Sequence, residues 1–461
     1  MTHIQSFNLP STLKKMNSFF EQAGFEAYLV GGAVRDMLMN KPASDWDVAT
    51  NATPQQVMSV FRKVIPTGIE HGTVTVIFQG EHIEVTTFRT EADYSDGRHP
   101  DSVEYAATIE EDLSRRDFTM NAIAVNLRDG SVVDPFGGKD DIKKKLIRCV
   151  GEPLERFSED GLRPVRALRF AAQLGFQIED KTLEAIPKRL DVTEKVAVER
   201  FHDELLKMLK SPVPSIGLHL MEETGVMKIF LPELLSCRGV EQKGFHNFDV
   251  LDHLYYSCDG TDKDKPEVRL AALFHDIGKP SVRALGKDGV YTFYQHEAAS
   301  AKMAQKILDR LHFSRQTITY VCHLIAQHMF FYEPNWTDAA VRRFLVRIKY
   351  SEYEHVLEDL FDLRRGDLFG MNRVTPPPEQ LLEFQKRIEA VLAKNNALTL
   401  KDIAVNGKDL MAAGIPAGKQ LGTILNELFE TVLDDPAMNT KEKLLPVALN
   451  FYKTRLSGTE N

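Results

Sequence analysis

Cysteine is scarce in this chain, and a secretory leader and long apolar runs are missing; each shortage excludes a class of protein. The four cysteines, Cys149, Cys237, Cys258 and Cys322, are too scattered to frame a zinc ribbon or a set of disulfides. No uninterrupted apolar run approaches the ~18–20 residues that span a bilayer, which excludes a membrane protein. The start, MTHIQSFNLPSTLKKMNSFF, does not follow the charged, apolar, small-residue order of a secretory signal. The expectation is a cytoplasmic, thiol-reduced protein with no membrane association and no obligate protein partner. Positive charge is also in deficit: 57 Lys and Arg against 66 Asp and Glu leave a net charge of −9. Such a surface does not wrap nucleic acid non-specifically, although a local basic groove is still allowed. The segment from Lys139 to Arg169, with nine basic residues against six acidic, opposes the global sign.

What is present is a chain of 461 residues, beyond the roughly 250–300 at which one core stops growing, so several domains are expected. Up to about residue 150, strand and helix signals alternate. Ser11 is placed to cap a helix running to Gly24, EAYLV reads as a strand entering Gly31-Gly32, and Thr53-Pro54 is a cap-plus-first-turn signal. TVTVIF and HIEVTTF alternate around a short Gln-Gly-Glu turn and predict a hairpin; NAIAVNL and SVVDPF predict a second around Asp-Gly. Beyond Gly151 apolar spacings of three and four take over, as in EKVAVERFHDELLKMLK, AASAKMAQKILDRL and TILNELFETVLDD, and predict an almost wholly helical remainder. Linkers are expected near Cys237–Gly244, at GTDKDKP and at VTPPPEQ.

Three weak signals in the first part gain weight from their order. YLVGGAVRD places Gly31 and Gly32 at a strand-to-helix turn, where bare backbone N–H groups and a helix start can meet phosphate, with Arg35 one turn on. Nine residues later SDWDVAT carries Asp45 and Asp47, which share a face if the segment is a strand and can then hold a divalent metal. A following hairpin carries Glu84, which an adjacent strand could set beside the pair. Each motif alone is more often a solvated turn or an edge charge.

Together with IPTGIEHGTVTV, FRTEADYSDGRHPDSVEY, EEDLSRRDFTMNAIA, DPFGG and EDGLRPVRALRF, these motifs resemble, in order, the class II tRNA nucleotidyltransferases, the CCA-adding enzymes, which share a polymerase-type head with bacterial poly(A) polymerases. The likeness continues through VERFHDELLKML to IAVNGKDLMAAGIPAGKQLGTILNEL. It implies an α+β fold: a mixed-sheet nucleotidyltransferase head over 1–150, then an all-α neck over 151–240, an HD domain over 241–373 and a tRNA-binding tail over 374–461. It implies Asp45, Asp47 and Glu84 as catalytic carboxylates, the first two holding magnesium, and Gly31, Gly32, Arg35 and Arg116 as triphosphate contacts. The substrates implied are CTP, ATP and the tRNA acceptor arm.

In EDGLRPVRALRF the same resemblance marks Asp160 and Arg163 as nucleobase readers, with Arg166 and Arg169 near the triphosphate. A carboxylate only accepts and a guanidinium only donates. Cytosine and adenine both present an amino donor beside a ring-nitrogen acceptor, whereas uracil and guanine present the reverse, so one acceptor–donor pair selects C and A. The alternative is a set of ordinary helix-start salt bridges, and Pro164 is compatible with a helix only in its first turn. The polar stretch between Arg89 and Leu113, including DYSDGRHP, looks like the flexible loop the family uses in switching from C to A addition. IPTGIEHGTVTV, together with a tail, RLSGTEN, lacking a basic extension, points away from poly(A) polymerase.

In the helical half, His275-Asp276 within LAALFHDIGKP resembles the HD superfamily of metal-dependent phosphohydrolases. The resemblance implies His253, His275, Asp276 and Asp367 as ligands of an unidentified divalent metal that activates water, with His296 and His328 as candidates for a second ion. The substrates implied are 2′,3′-cyclic phosphates and related phosphoesters. Two other readings stand beside CCA addition: an A-adding enzyme, and an RNA-binding HD phosphohydrolase whose head has lost catalysis.

Overall fold

The computed structural model describes residues 7, 9–43, 45–69, 72–92, 102–242, 247–287, 289–375, 377, 379–394 and 397–456. The chain is α+β and forms two compact units, residues 1–236 with 309–313, and residues 237–308 with 314–461. Among the described residues no helix is long and apolar enough to cross a membrane. The four cysteines are unpaired with one another.

The first unit is built on a seven-stranded mixed sheet. Its strands are β1 (Ala27–Val30), β2 (Asp47–Thr50), β3 (Val64–Gly68), β4 (Thr73–Phe78) and β5 (Glu81–Thr87), followed, after a separate antiparallel pair β6 (Arg89–Ala92) and β7 (Ser102–Tyr105), by β8 (Ala124–Asn126) and β9 (Val132–Val133). The sheet order is β3-β4-β5-β2-β1-β8-β9. Both predicted hairpins form, as β4–β5 and β8–β9. All four residues of β1 are buried, as expected of a strand covered on both faces. The β2–β5 pair is parallel, with Asp47 opposite Glu84. Parallel neighbours need a crossover, and here it includes the helix Pro54–Val60, opened by a Thr53–Gln56 capping box.

Local differences from expectation have identifiable causes. Ser11 is the first helical residue rather than the cap: the helix is Ser11–Gln22, and Pro10 holds the cap position with no side-chain bond. Part of the stretch expected as a flexible loop is ordered as β6, β7 and the helix Ile109–Ser114, which Thr108 and Glu111 cap reciprocally. DYSDGRHP itself lies outside the described residues.

Among its described residues the second unit is almost entirely helical, with one two-residue hairpin, Ala284–Leu285 with Tyr291–Thr292. GTDKDKP is not an interdomain linker: it joins two helices of this unit, where Asp262 N–H donates to Asp362 Oδ2 at 3.0 Å and Lys265 Nζ lies 2.7 Å from Asp359. The helix Val356–Asn372 packs closely on Val250–Asp259 because Gly366 and Gly370 present no Cβ. At Gly370 one would lie 2.2 Å from Ser257 Oγ and 2.7 Å from the His253 carbonyl, and at Gly366 2.7 Å from the Ser257 carbonyl. Residues 397–448 bury a separate apolar cluster that includes Leu410, Ile424, Leu428 and Leu444.

Candidate functional sites

Gly31 ends β1 with φ 74°, a conformation that favours glycine, and the chain turns at once into the helix Gly32–Leu38. A Cβ at Gly31 would stand 3.3 Å from both Arg116 Nη1 and Asp47 Oδ2, so the bare backbone keeps a space open between a guanidinium and a carboxylate. Asp45 precedes β2 instead of lying in it, so the shared-face expectation for a strand does not apply to the pair. Both aspartates nonetheless line one cavity of about 830 Å³, with Gly31, Gly32, Arg35, Arg116, Asp160, Arg163, Arg166 and Arg169. Burial, then the neighbouring carboxylates of Glu84 and Asp45, push Asp47 up to about 6 against the pull of Arg116. A buried carboxylate whose proton affinity is raised by neighbouring carboxylates is a suitable donor for a hard divalent cation.

The basic wall of this cavity is braced by acids. Arg35 is buried, its Nη1 donating to Asn121 at 2.9 Å and its Nε to Asp36 at 3.0 Å. Pro164 falls in the first turn of the helix Leu162–Leu174, the position at which proline is tolerated. Along that helix, Arg163 donates to the carbonyls of Arg156 and Arg115 and pairs with Glu159; Arg166 donates to Asp117 at 2.8 Å; Arg169 donates to Glu204 at 2.7 Å. Asp160 accepts two bonds from Arg200, at 3.0 and 2.8 Å. Burial alone would raise the pKa of Asp117, but Arg166 and Asn121 outweigh it and hold the carboxyl at about 2. Phe170 lies beneath three guanidinium groups, 3.6 Å from Arg169, 5.3 Å from Arg35 and 5.5 Å from Arg166, so its ring face moderates their mutual repulsion.

Sequence reasoning missed Asp117, Phe170, Arg200 and Glu204. A signal exists for Glu204: in VERFHDELLKML it falls between the buried Phe201 and Leu205, and an acid on an apolar stripe needs a cation partner.

In the second unit the six expected residues converge. His253 Nε2 stands 3.0 Å from His275 Nε2 and 3.3 Å from Asp367 Oδ1. The close helix approach at Gly366 and Gly370 is what carries Asp367 to His253. Asp276 divides its two oxygens: Oδ2 faces His253 at 3.3 Å, His275 at 3.4 Å and Lys279, while Oδ1 faces His296 at 3.1 Å and His328 at 3.8 Å. Two three-residue groups with ligand spacing therefore share this carboxylate, His253–His275–Asp276 and Asp276–His296–His328. Burial opposes a charge on His253, but hydrogen bonds to Asp276 and Asp367 outweigh it and raise its pKa to about 9, so positive charge is favoured at this point. At His328 burial and the adjacent His275 dominate and lower the pKa to about 3, leaving the neutral imidazole that metal ligation requires.

Three family descriptions match the chain: the Poly A polymerase head domain over 27–148, the RNA- and SrmB-binding site of polymerase A over 175–237, and tRNA nucleotidyltransferase domain 2 over 290–448. The CCA-adding enzyme of Geobacillus stearothermophilus is 47% identical over 440 residues, covering 94% of this chain and 95% of that protein. The CCA-adding enzyme of Ligilactobacillus salivarius is 46% identical over 453 residues, covering 97% and 99%. Among solved structures, the Bacillus stearothermophilus CCA-adding enzyme in complex with CTP matches with a TM-score of 0.74 at 29% identity, over 97% of this chain and 98% of that one. The Thermotoga maritima CCA-adding enzyme complexed with tRNA shares the fold, with a TM-score of 0.57 at 20% identity over 95% and 94%.

Proposed function

Because the chain belongs to the CCA-adding enzymes and is a nucleotidyltransferase, we propose that it adds C, C and A to the tRNA 3′ end from CTP and ATP without a nucleic-acid template. The observation that carries this reading is the cavity in which Asp45 and Asp47 face a wall of braced arginines. In the step, the primer 3′-oxygen bonds to the α-phosphorus, the bond from that phosphorus to the β-phosphate bridge breaks, pyrophosphate leaves and the hydroxyl proton is released. Asp45 and Asp47 would hold magnesium, which when bound would supply Lewis acidity to the primer hydroxyl and to the leaving pyrophosphate. Gly31 and Gly32 admit the triphosphate close to the backbone, and Arg35, Arg116, Arg166 and Arg169 offset its charge. Glu84, in register with Asp47, acts as the third carboxylate.

Asp160 and Arg163 read the base as an acceptor–donor pair. Arg200 orients Asp160 through two bonds, and Glu159 with two carbonyls fixes Arg163. Rigidly fixed polar groups discriminate because they cannot reorient to match a base with the opposite donor–acceptor order. Arg163→Ala is therefore expected to lower the preference for CTP and ATP over UTP and GTP by at least about tenfold, whereas Arg35→Ala weakens CTP and ATP alike. Competition assays with all four triphosphates decide this; equal loss of discrimination in both variants would refute the reader assignment.

Full CCA addition is separated from A addition by tRNA ending at the discriminator base, or carrying one or both C residues, offered with CTP and ATP separately and together. Addition to all three is expected. Success only on the last supports the A-adding alternative. An inactive head is disfavoured by the convergence of Asp45, Asp47 and the arginines on one cavity.

The His–Asp cluster supports a second activity, hydrolysis of 2′,3′-cyclic phosphates and related phosphoesters. His253, His275, Asp276 and Asp367 would hold one divalent ion, and His296 and His328 a second, with Asp276 between them. Bound ions would supply the Lewis acidity that activates an attacking water. The chain's own contribution is a buried set of imidazoles and carboxylates at fixed spacing, in which a bound cation would replace the proton that Asp276 and Asp367 favour on His253.

A further inference from the structure

The spacing in EEDLSRRD sets one acid against two bases. Asp112 lies on the helix Ile109–Ser114, with Arg115 three and Arg116 four residues further on, the offsets at which side chains of a helical turn meet. Asp112 is 1% exposed, and a buried carboxylate has to be paired. It divides its oxygens between the two arginines. Oδ1 accepts from Arg115 Nε at 3.1 Å and Nη2 at 2.9 Å, with the Arg89 backbone N–H at 3.4 Å, and Oδ2 accepts from Arg116 Nη2 at 3.3 Å. Burial alone would raise the pKa of Asp112, but the Arg116 and Arg115 guanidinium groups outweigh it and keep the carboxyl charged, below its ordinary range.

The support beneath Asp112 reaches the nucleotide cavity. Ile109 and Leu113, on the same helix, are buried in one apolar cluster with Val30, the last residue of β1 before Gly31. Arg116 is held beside that turn by one arm. Its Nη2 is bonded to Asp112, whereas Nη1 stands 3.3 Å from the point a Gly31 Cβ would occupy, as Asp47 Oδ2 does from the other side. Arg116 Nε is buried with no acceptor among the described residues. This arginine therefore has donors to spare where the bare backbone admits phosphate, and a second carboxylate, Asp47, across the gap. A guanidinium released from Asp112 would pair with Asp47 and neutralise a carboxylate needed for metal.

We propose that Asp112 is a positioning residue for nucleotide addition: it holds Arg116 by Nη2 so that the remaining N–H groups meet the outer phosphates of the incoming triphosphate, and it keeps this cation off Asp47. This rests on the nucleotidyltransferase reading of the cavity and adds a residue that acts through Arg116 rather than on the substrate.

The test measures binding of CTP and of CMP to the full chain in EDTA by calorimetry, which needs no turnover. Wild type should prefer CTP, the excess coming from the two outer phosphates. Asp112→Asn keeps the side-chain shape and removes the charge. It should lower the CTP-to-CMP affinity ratio by about tenfold, the low end of what a close charge pair is worth, and leave CMP affinity unchanged. Arg116→Gln should lower the ratio at least as far, and the double variant no further, because the two residues act as one unit. Should the asparagine variant fail to fold, Asp112→Glu, which keeps the charge but displaces it, decides by the same ratio: a reduced ratio upholds the proposal and an unchanged one refutes it. A ratio kept in folded Asp112→Asn, equal losses for CTP and CMP, or losses that multiply in the double variant overturn the proposal alone. A wild type with no preference for CTP removes the triphosphate reading itself, and the proposal with it.

Discussion

Asp47→Asn is expected to abolish nucleotide addition and, in EDTA at about pH 7.5, to raise the unfolding temperature. Asp47 titrates near 6 in the fold against an ordinary value of 3.8, because burial and the carboxylates of Glu84 and Asp45 disfavour its charge. A carboxylate with a raised folded pKa destabilises the fold above that pKa, and the penalty fades as pH falls toward the unfolded value. At neutral pH the penalty is on the order of 1–3 kcal/mol, or a few degrees in Tm. Asparagine keeps the shape and removes the charge, so the gain should be present at neutral pH and nearly gone by about pH 4. Magnesium with CTP should stabilise wild type and not the variant, since a ligand stabilises only a fold that binds it. Asp45→Ala combined with Asp47→Ala should likewise lose tailing while folded. Retained tailing in either protein would sink the metal assignment; an unchanged Tm in EDTA would sink the electrostatic account.

What was legible in the sequence was local. Alternation in TVTVIF and HIEVTTF gives a hairpin because side chains alternate faces over successive residues, and Thr53-Pro54 opens a helix because the threonine accepts from Gln56 N–H. The parallel β2–β5 pairing that sets Asp47 opposite Glu84 depends on a crossover, which no local pattern encodes. Asp45 lies outside β2, so the period-two inference failed while the residue still reached the cavity. The partners of the expected arginines were equally hidden, because Arg200 and Asp160 are forty residues apart and ordinary helix surface by pattern. In the second unit the residue types of the cluster were readable, whereas the approach that unites Asp367 with His253 rests on Gly366 and Gly370, whose meaning appears only once the neighbouring helix is in place.

His275→Gln and Asp276→Asn are expected to remove metal-dependent hydrolysis of 2′,3′-cyclic phosphates and leave tailing of intact tRNA in place. His275 and Asp276 are both buried, and Asp276 gives one oxygen to each ligand group, so its loss disables both. Altering a hydrogen-bond partner of a metal ligand costs roughly 10–100-fold, and loss of a ligand should cost at least that. The amide variants keep side-chain volume in a packed interior, which guards against unfolding; thermal melts in EDTA check it. Tailing should persist because the two ligand sets share no residue and lie in different compact units. Loss of bound Mn²⁺ together with hydrolysis supports the ligand assignment, whereas undiminished hydrolysis places that activity elsewhere. Loss of tailing in a folded variant would mean that the cluster and the nucleotide cavity act as one site, against the separation argued from their residues.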